Sequence, residues 1–135
     1  MWYRHLLCLL SVVSFSSFAQ MATDLNLVPA NVSGISVLQA ERHDDGAFNL
    51  TVNLRVQMPN SCHYYVGKQR VNGEQEGSVK ILAFIASRAT GCSEMVQTID
   101  VQTTLWLDPR RQPVVELTSS RFLFHEATES FIEIN

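Results

Sequence analysis

Imidazole, thiol and carboxylate side chains carry most of the chemistry a protein can do unaided, and in this chain they are scattered. The histidines are His5, His43, His63 and His125. Asp44 and Asp45 follow His43, and Glu126 follows His125, so nitrogen and oxygen ligands for a metal ion do occur side by side. Structural zinc sites, however, hold their ligands at close spacings such as Cys-x-x-Cys or His-x-x-x-His, because the chain must present several donors to one ion. Neither spacing occurs here. His125-Glu126-Ala127-Thr128-Glu129 has the opening of a His-Glu-x-x-His helix, but Glu129 stands where the second imidazole is required, in a non-helical context. The three later histidines are therefore expected in turns or on the surface, and no metal and no cofactor are expected.

Nucleophilic and phosphate chemistry fare the same way. No Gly-x-Ser-x-Gly elbow is present, and the serines and threonines fall on strand faces or in turns, where they are common. Asp100 is the one acid in the middle of a long strand, and it is expected to be solvated there. Glycine-rich phosphate loops and interleaved basic and aromatic patches are absent. No catalytic residue is assigned, and the expected protein is not an enzyme. Asn31-Val32-Ser33 and Asn49-Leu50-Thr51 match the glycosylation sequon, a pattern short enough to arise by chance.

Cysteine use points to a compartment. Met1 to His5 is a short basic start, Leu6 to Phe18 is apolar apart from serines, and Ser17 and Ala19 supply small residues at the −3 and −1 positions of a cleavage site. That is the layout of a secretory signal peptide ending at Ala19. A membrane anchor needs about 20 apolar residues, more than this run contains. Lipid attachment at Cys8 is disfavoured by its place inside the apolar run, after the bulky Leu7. Cleavage leaves two cysteines, Cys62 and Cys92, and two cysteines in an exported chain form a disulfide as a rule. A redox pair would sit as Cys-x-x-Cys at a helix start. The chain carries 10 Lys and Arg against 13 Asp and Glu, a net charge of −3, and loss of Arg4 with the leader makes it −4. That mild acidity disfavours nucleic acid as a partner.

The elements that hold these residues are strands. From Phe48 to Met58 every even position is apolar and every odd one polar. A strand sends successive side chains to opposite faces, so Phe48, Leu50, Val52, Leu54, Val56 and Met58 form a dry face opposite a wet one. One dry and one wet face is the mark of an antiparallel sheet. Residues 20–33 read as an extended arm, and Gly34 to Arg42 as a first strand that turns at His43-Asp44-Asp45-Gly46 into the Phe48 strand. His63 onward is a strand that fades towards Asn72-Gly73, a second turn dipeptide. Ser78 to Ser87 is apolar on both faces. Met95 to Leu107 alternates again, with Met95, Ile99, Val101, Leu105 and Leu107 on one face and Trp106 among the polar set on the other. Asp108 to Pro113 is a turn, Val114 to Leu117 and Arg121 to His125 are short strands, and Phe131 to Ile134 is an edge strand or an end. No stretch keeps a helical period for three turns.

About seven strands with turns roughly every ten residues is the profile of an all-β, antiparallel β-sandwich of immunoglobulin-like type over residues 34–135, with a small closed barrel as the alternative. An alternating strand running into Pro59-Asn60-Ser61-Cys62, with Gly91-Cys92 before another long strand, resembles certain small exported bacterial immunoglobulin-like domains. The resemblance spans roughly residues 48 to 107 and implies fold and compartment. Those domains close on a Gly-x-Tyr-x-Val strand, whereas Arg121-Phe122-Leu123-Phe124 stands here. Antibody-type hallmarks are missing too, since Trp106 follows the second cysteine.

The apolar residues that break the alternation are the candidates for function. With Val79, Ile81, Ala83 and Ile85 facing the core, Leu82 and Phe84 face outward, and Trp106 lies with the wet set. Leu82, Phe84, Trp106, Tyr64 and Tyr65 are taken as a possible partner surface, since exposed apolar area concentrates at contacts. Coverage by the arm or the Phe131–Ile134 tail, or a bulge near Thr103–Thr104 that turns Trp106 inward, would remove it. The leading expectation is an exported, non-catalytic interaction or structural domain. The alternative is an exported inhibitor of a protease or lysozyme, presenting His63-Tyr64-Tyr65 or Arg88-Ala89-Thr90-Gly91 as a disulfide-held loop.

Overall fold

The computed structural model describes residues 26–87 and 91–134. The expected leader, the first part of the arm and the Arg88-Ala89-Thr90 segment lie outside them. The described residues are all-β and contain no helix. There are eight strands: β1 (Val28–Arg42), β2 (Phe48–Met58), β3 (His63–Asn72), β4 (Ser78–Ser87), β5 (Gln97–Leu107), β6 (Val114–Glu116), β7 (Arg121–His125) and β8 (Ser130–Ile134). The additional strand is β8, and β5 starts two residues later than its alternation suggested, leaving Met95 73% exposed.

β2 is the centre of one ladder. It pairs antiparallel with β1 on one side and β5 on the other, and the β2–β5 register runs unbroken from Phe48 opposite Leu107 to Met58 opposite Gln97. The alternation along β2 holds: its six apolar residues are all buried, Leu50, Val52, Leu54 and Val56 completely. Full burial of such a side chain is worth about 1.5–3 kcal/mol, which makes this register hard to slip. The β1–β2 turn is built as expected. Gly46 takes a left-handed φ of 88°, its amide donates to the His43 carbonyl at 3.0 Å, and Asp45 accepts the Ala47 amide at 3.0 Å.

β1 begins at Val28, not at Gly34, and serves two ladders. Val28, Pro29 and Ala30 pair with Ile85, Phe84 and Ala83 of β4, after which Asn31 begins the pairing with β2. Thr118 satisfies the backbone at this switch: its hydroxyl accepts the Val32 amide at 2.8 Å and donates to the Ala30 carbonyl at 3.3 Å. The second ladder places β3 along one edge of β4. Its other edge is shared between β1 and β6, and β7 and β8 continue from β6.

The sheet is mixed and not purely antiparallel, because β4 and β6 pair in parallel. The reason is topological. β5 lies in the other ladder, so the chain returns to the edge of β4 travelling in the same direction, the long crossover that parallel pairing requires. Buried residues of both ladders form one core cluster, with Phe48 edge-on to Phe124 at 5.1 Å and Phe124 against Phe131 at 5.3 Å. The Phe131–Ile134 tail thus joins β7 instead of lying over Leu82 and Phe84.

Where β3 and β5 would leave edges open, two cations intervene. Lys68 and Arg70 pair with the inward-facing Ala83 and Ile81, so their side chains point to the core side of β3. The Lys68 ammonium donates to the Thr104 carbonyl at 2.8 Å, and the Arg70 guanidinium donates to the Trp106 carbonyl and to Gln112 Oε1. Burial, with Arg70 nearby, holds the Lys68 ammonium below the usual lysine range, and burial lowers Arg70 as well. Capping edge carbonyls with charge is a known guard against edge-to-edge association.

Candidate functional site

The outer faces of the two ladders differ in kind. On β4, Val79, Ile81, Ala83 and Ile85 are 1–2% exposed. Strand geometry then sends Leu82 and Phe84 outward, and both are partly exposed. Phe84 sits in a row between Gly67 of β3 and Pro29 of β1, and Leu82 is opposite Gln69. A Cβ placed on Gly67 would meet nothing within 4 Å, so the β3 side of Phe84 is open. Among the described residues, the charge on this face of β4 is Lys80, which lies 3.8 Å from Glu74 and in one row with Glu116 and Arg121.

Tyr64 shares this outer face, opposite Ala86. Tyr65 does not. It is opposite Ile85, packs against the core, and burial raises its phenol above the usual tyrosine range. The β3 strand then bulges at Val66 before Gly67. His63-Tyr64-Tyr65 is accordingly the start of a strand and not a projecting loop. Of the five residues expected to form a partner surface, Leu82, Phe84 and Tyr64 come together, Tyr65 turns inward, and Trp106 belongs to the other ladder.

The outer face of β1, β2 and β5 is polar in every paired row but one, with Leu38, 57% exposed at the β1 bulge between Val37 and Gln39, as a second apolar residue. From the β1–β2 turn downwards the rows are Glu41–Asn49–Trp106, Gln39–Thr51–Thr104, Ser36–Asn53–Gln102, Gly34–Arg55–Asp100 and Asn31–Gln57–Thr98. No bulge interrupts β5, so Trp106 stays outside, 45% exposed. The His43 ring lies against its indole at 4.7 Å between centroids, tilted by 50°. In the last two rows the polar groups find each other: Asn31 Nδ2 donates to Gln57 Oε1 at 2.6 Å, and Arg55 stands 4.0 Å from Asp100. Asp100 is solvated as expected, and an exposed pair of this kind is worth about 0–1 kcal/mol.

At the opposite end, Cys62 and Cys92 form a disulfide with Cα atoms 5.5 Å apart. Ser61 and Ser93 reinforce it, the Ser61 amide donating to the Ser93 carbonyl at 3.2 Å and the Ser93 amide to Ser61 Oγ at 2.9 Å. Beside it stands an arrangement the sequence did not announce. Asn60 Oδ1 accepts the Cys62 amide at 3.0 Å and lies 2.6 Å from His63 Nδ1, while His63 Nε2 is 3.2 Å from Ser87 Oγ. Because Asn60 Oδ1 can only accept, Nδ1 carries the proton and Nε2 receives the Ser87 hydroxyl. The order hydroxyl, imidazole, amide is that of a nucleophile with its base. Here, though, His63 and Ser87 are cross-strand neighbours and Ser87 is exposed, a setting in which they bind the turn to β4.

Glu116 was equally invisible, because one acid after Val114-Val115 reads as a solvated strand end. It is 6% exposed. Its carboxylate accepts Ser78 Oγ at 2.7 Å and the amides of Glu74 and Gln75 at 3.0 and 3.4 Å. Burial pushes its pKa up, but those hydrogen bonds and Arg121 outweigh burial and hold it below the usual glutamate range. Gly73 belongs to the same knot. Its φ is not left-handed, so the glycine is there for room: a Cβ would lie 1.9 Å from Ser78 Oγ.

Of the remaining histidines, His43 precedes the β1–β2 turn and His125 ends β7. His125 Nδ1 is 3.0 Å from Thr128 Oγ1, and His43 leaves Nε2 buried without a partner. Among the described residues no three His, Cys, Asp or Glu side chains are grouped to hold a metal ion. No protein-family model, curated protein or solved structure matches this chain.

Proposed function

We propose that this protein is an exported, non-catalytic interaction domain that binds another protein through the outer face of β3 and β4. Leu82, Phe84 and Tyr64 form its contact surface. The observation that carries the reading is the set of partly exposed apolar side chains aligned on the outer face of β4 and the start of β3, whereas the outer face of β1, β2 and β5 is polar apart from Leu38 and Trp106. Exposed aromatic and aliphatic side chains gathered on one face are where contact energy concentrates. Export is supported by the leader-like residues 1–19 and by the Cys62–Cys92 disulfide, which persists in oxidising compartments. The described residues also contain no helix long and apolar enough to cross a membrane. The architecture in this reading is an immunoglobulin-like β-sandwich, supported by two ladders that share one core and exchange β1 between them.

Sedimentation from low to high micromolar protein, with affinity retention from an extract of the exported compartment, tests the proposal. Self-association or a retained protein, lost on Phe84→Glu, is the expected outcome. A strict monomer that retains nothing overturns it.

A further inference from the structure

Trp106 is not part of the β4 face, and its surroundings differ from the rest of its own ladder. Next to it lie Asn49 in the same row and Gln39, Asn53 and Gln102 in the next two. Asn53 is partly exposed and the others are exposed. Among the described residues, none of these four amides has a side-chain hydrogen-bond partner. In the next row, by contrast, Arg55 stands beside Asp100, and in the row after it Asn31 binds Gln57. The polar groups are therefore committed to one another at the far end of the ladder and uncommitted around the indole. The indole lies against the His43 ring at 4.7 Å, and Arg70 binds the backbone carbonyl of the same residue. The Thr104 carbonyl, two residues away, is held by Lys68.

We infer that this face binds a neutral glycan, with Trp106 as the platform and the amides of Gln39, Asn49, Asn53 and Gln102 as the hydroxyl-reading groups. The chemistry selects the class. An amphipathic indole offers its π-face to the axial C–H groups of a pyranose, and a planar amide both donates to and accepts from adjacent sugar hydroxyls. Glu41 is the one ionised side chain in the three rows around Trp106, and the neighbouring cations are already engaged, Lys68 and Arg70 by the Thr104 and Trp106 carbonyls and Arg55 by Asp100, so the strip suits a neutral ligand better than a phosphate or a uronate. Rows in a sheet repeat about every 6.6–6.8 Å along the strand, so the three rows offer a flat strip long enough for two or three sugar rings. A platform that is already rigid loses little entropy on binding. An open strip without walls nevertheless leaves the affinity modest, in the range of about 10 μM to 1 mM.

Native affinity electrophoresis of the protein through gels containing hydroxyethylcellulose, arabinoxylan, galactomannan or dextran tests this, with polygalacturonate as the charged control. The expected result is retardation by at least one neutral polymer, with Trp106 fluorescence changing saturably on titration with its oligosaccharide. Trp106→Ala should weaken association at least about tenfold, and the double change N49A and N53A should weaken it as well. Phe84→Ala should leave it unchanged, which separates this strip from the β4 face. Thermal unfolding of each variant shows that it is folded. Retardation by none of the neutral polymers, by polygalacturonate alone, or equally with Trp106→Ala overturns the inference.

Discussion

Replacing Glu116 tests whether the β3–β4 turn is held by a buried charge. The carboxylate accepts the amides of Glu74 and Gln75 at 3.0 and 3.4 Å and shares the single Ser78 hydroxyl proton, at 2.7 Å, with the Gln75 carbonyl at 2.6 Å. Hydrogen bonds to an ionised acceptor contribute about 1.5–3 kcal/mol, and a donor stranded without its acceptor costs about 1–3 kcal/mol. Glu116→Gln keeps the shape and one accepting oxygen, and turns an amide NH₂ towards donors. We expect it to destabilise the fold by about 2–3 kcal/mol. For a domain of this size that lowers the melting temperature by about 8–20 °C. The loss should also depend on pH. Because the folded-state pKa of Glu116 lies below that of the unfolded chain, its contribution is complete above the unfolded value and vanishes as pH falls through the folded one. Calorimetry of both proteins from neutral to strongly acidic pH should show their melting temperatures converging as the pH drops below the ordinary glutamate range. Equal stability at neutral pH, or a gap that persists unchanged in acid, would refute the argument.

Other perturbations follow from the same geometry. Gly73→Ala should destabilise the protein in urea unfolding, because its Cβ would meet Ser78 Oγ at 1.9 Å and displace the hydroxyl bound to Glu116. Unchanged stability would mean the turn shifts freely. Removing the disulfide with Cys62→Ser and Cys92→Ser should cost about 3–4 kcal/mol on the loop-entropy account, measured by the same titration. The double change K68A and R70A uncaps the Thr104 and Trp106 carbonyls. It should bring stronger concentration-dependent light scattering than the native protein gives at the same concentrations. Leu54→Ala should cost about 2–5 kcal/mol, whereas Phe84→Ala on the outer face should cost about 1 kcal/mol or less.

How much of this was legible in the chain depends on whether the cause was local. The period-two pattern over Phe48–Met58 is local, and it placed all six apolar residues inside. The same rule put Leu82, Phe84 and Trp106 outside. Applied to Tyr64 and Tyr65 it would have separated them, since neighbours on a strand cannot share a face. β1 was misjudged at its start because Pro29 and the polar Asn31 look like an arm; only three residues there pair with β4, and a proline is tolerated in so short a pairing. The parallel β4–β6 pairing comes from strand order, which no local pattern contains. Glu116 and Ser78 are partners across 38 residues, and their meeting depends on that pairing. The one available hint was an acid inside the apolar run Val114-Val115-Glu116-Leu117.

Photo-crosslinking can ask in place whether β4 presents a contact surface. Placing the photo-crosslinking residue p-benzoylphenylalanine at position 84, with position 55 on the polar face as control, and irradiating the protein in its own exported compartment tests it most directly. A defined crosslinked protein, either a second copy or another chain, is expected from position 84 and none from position 55. Crosslinks from neither position, or equally from both, would contradict it.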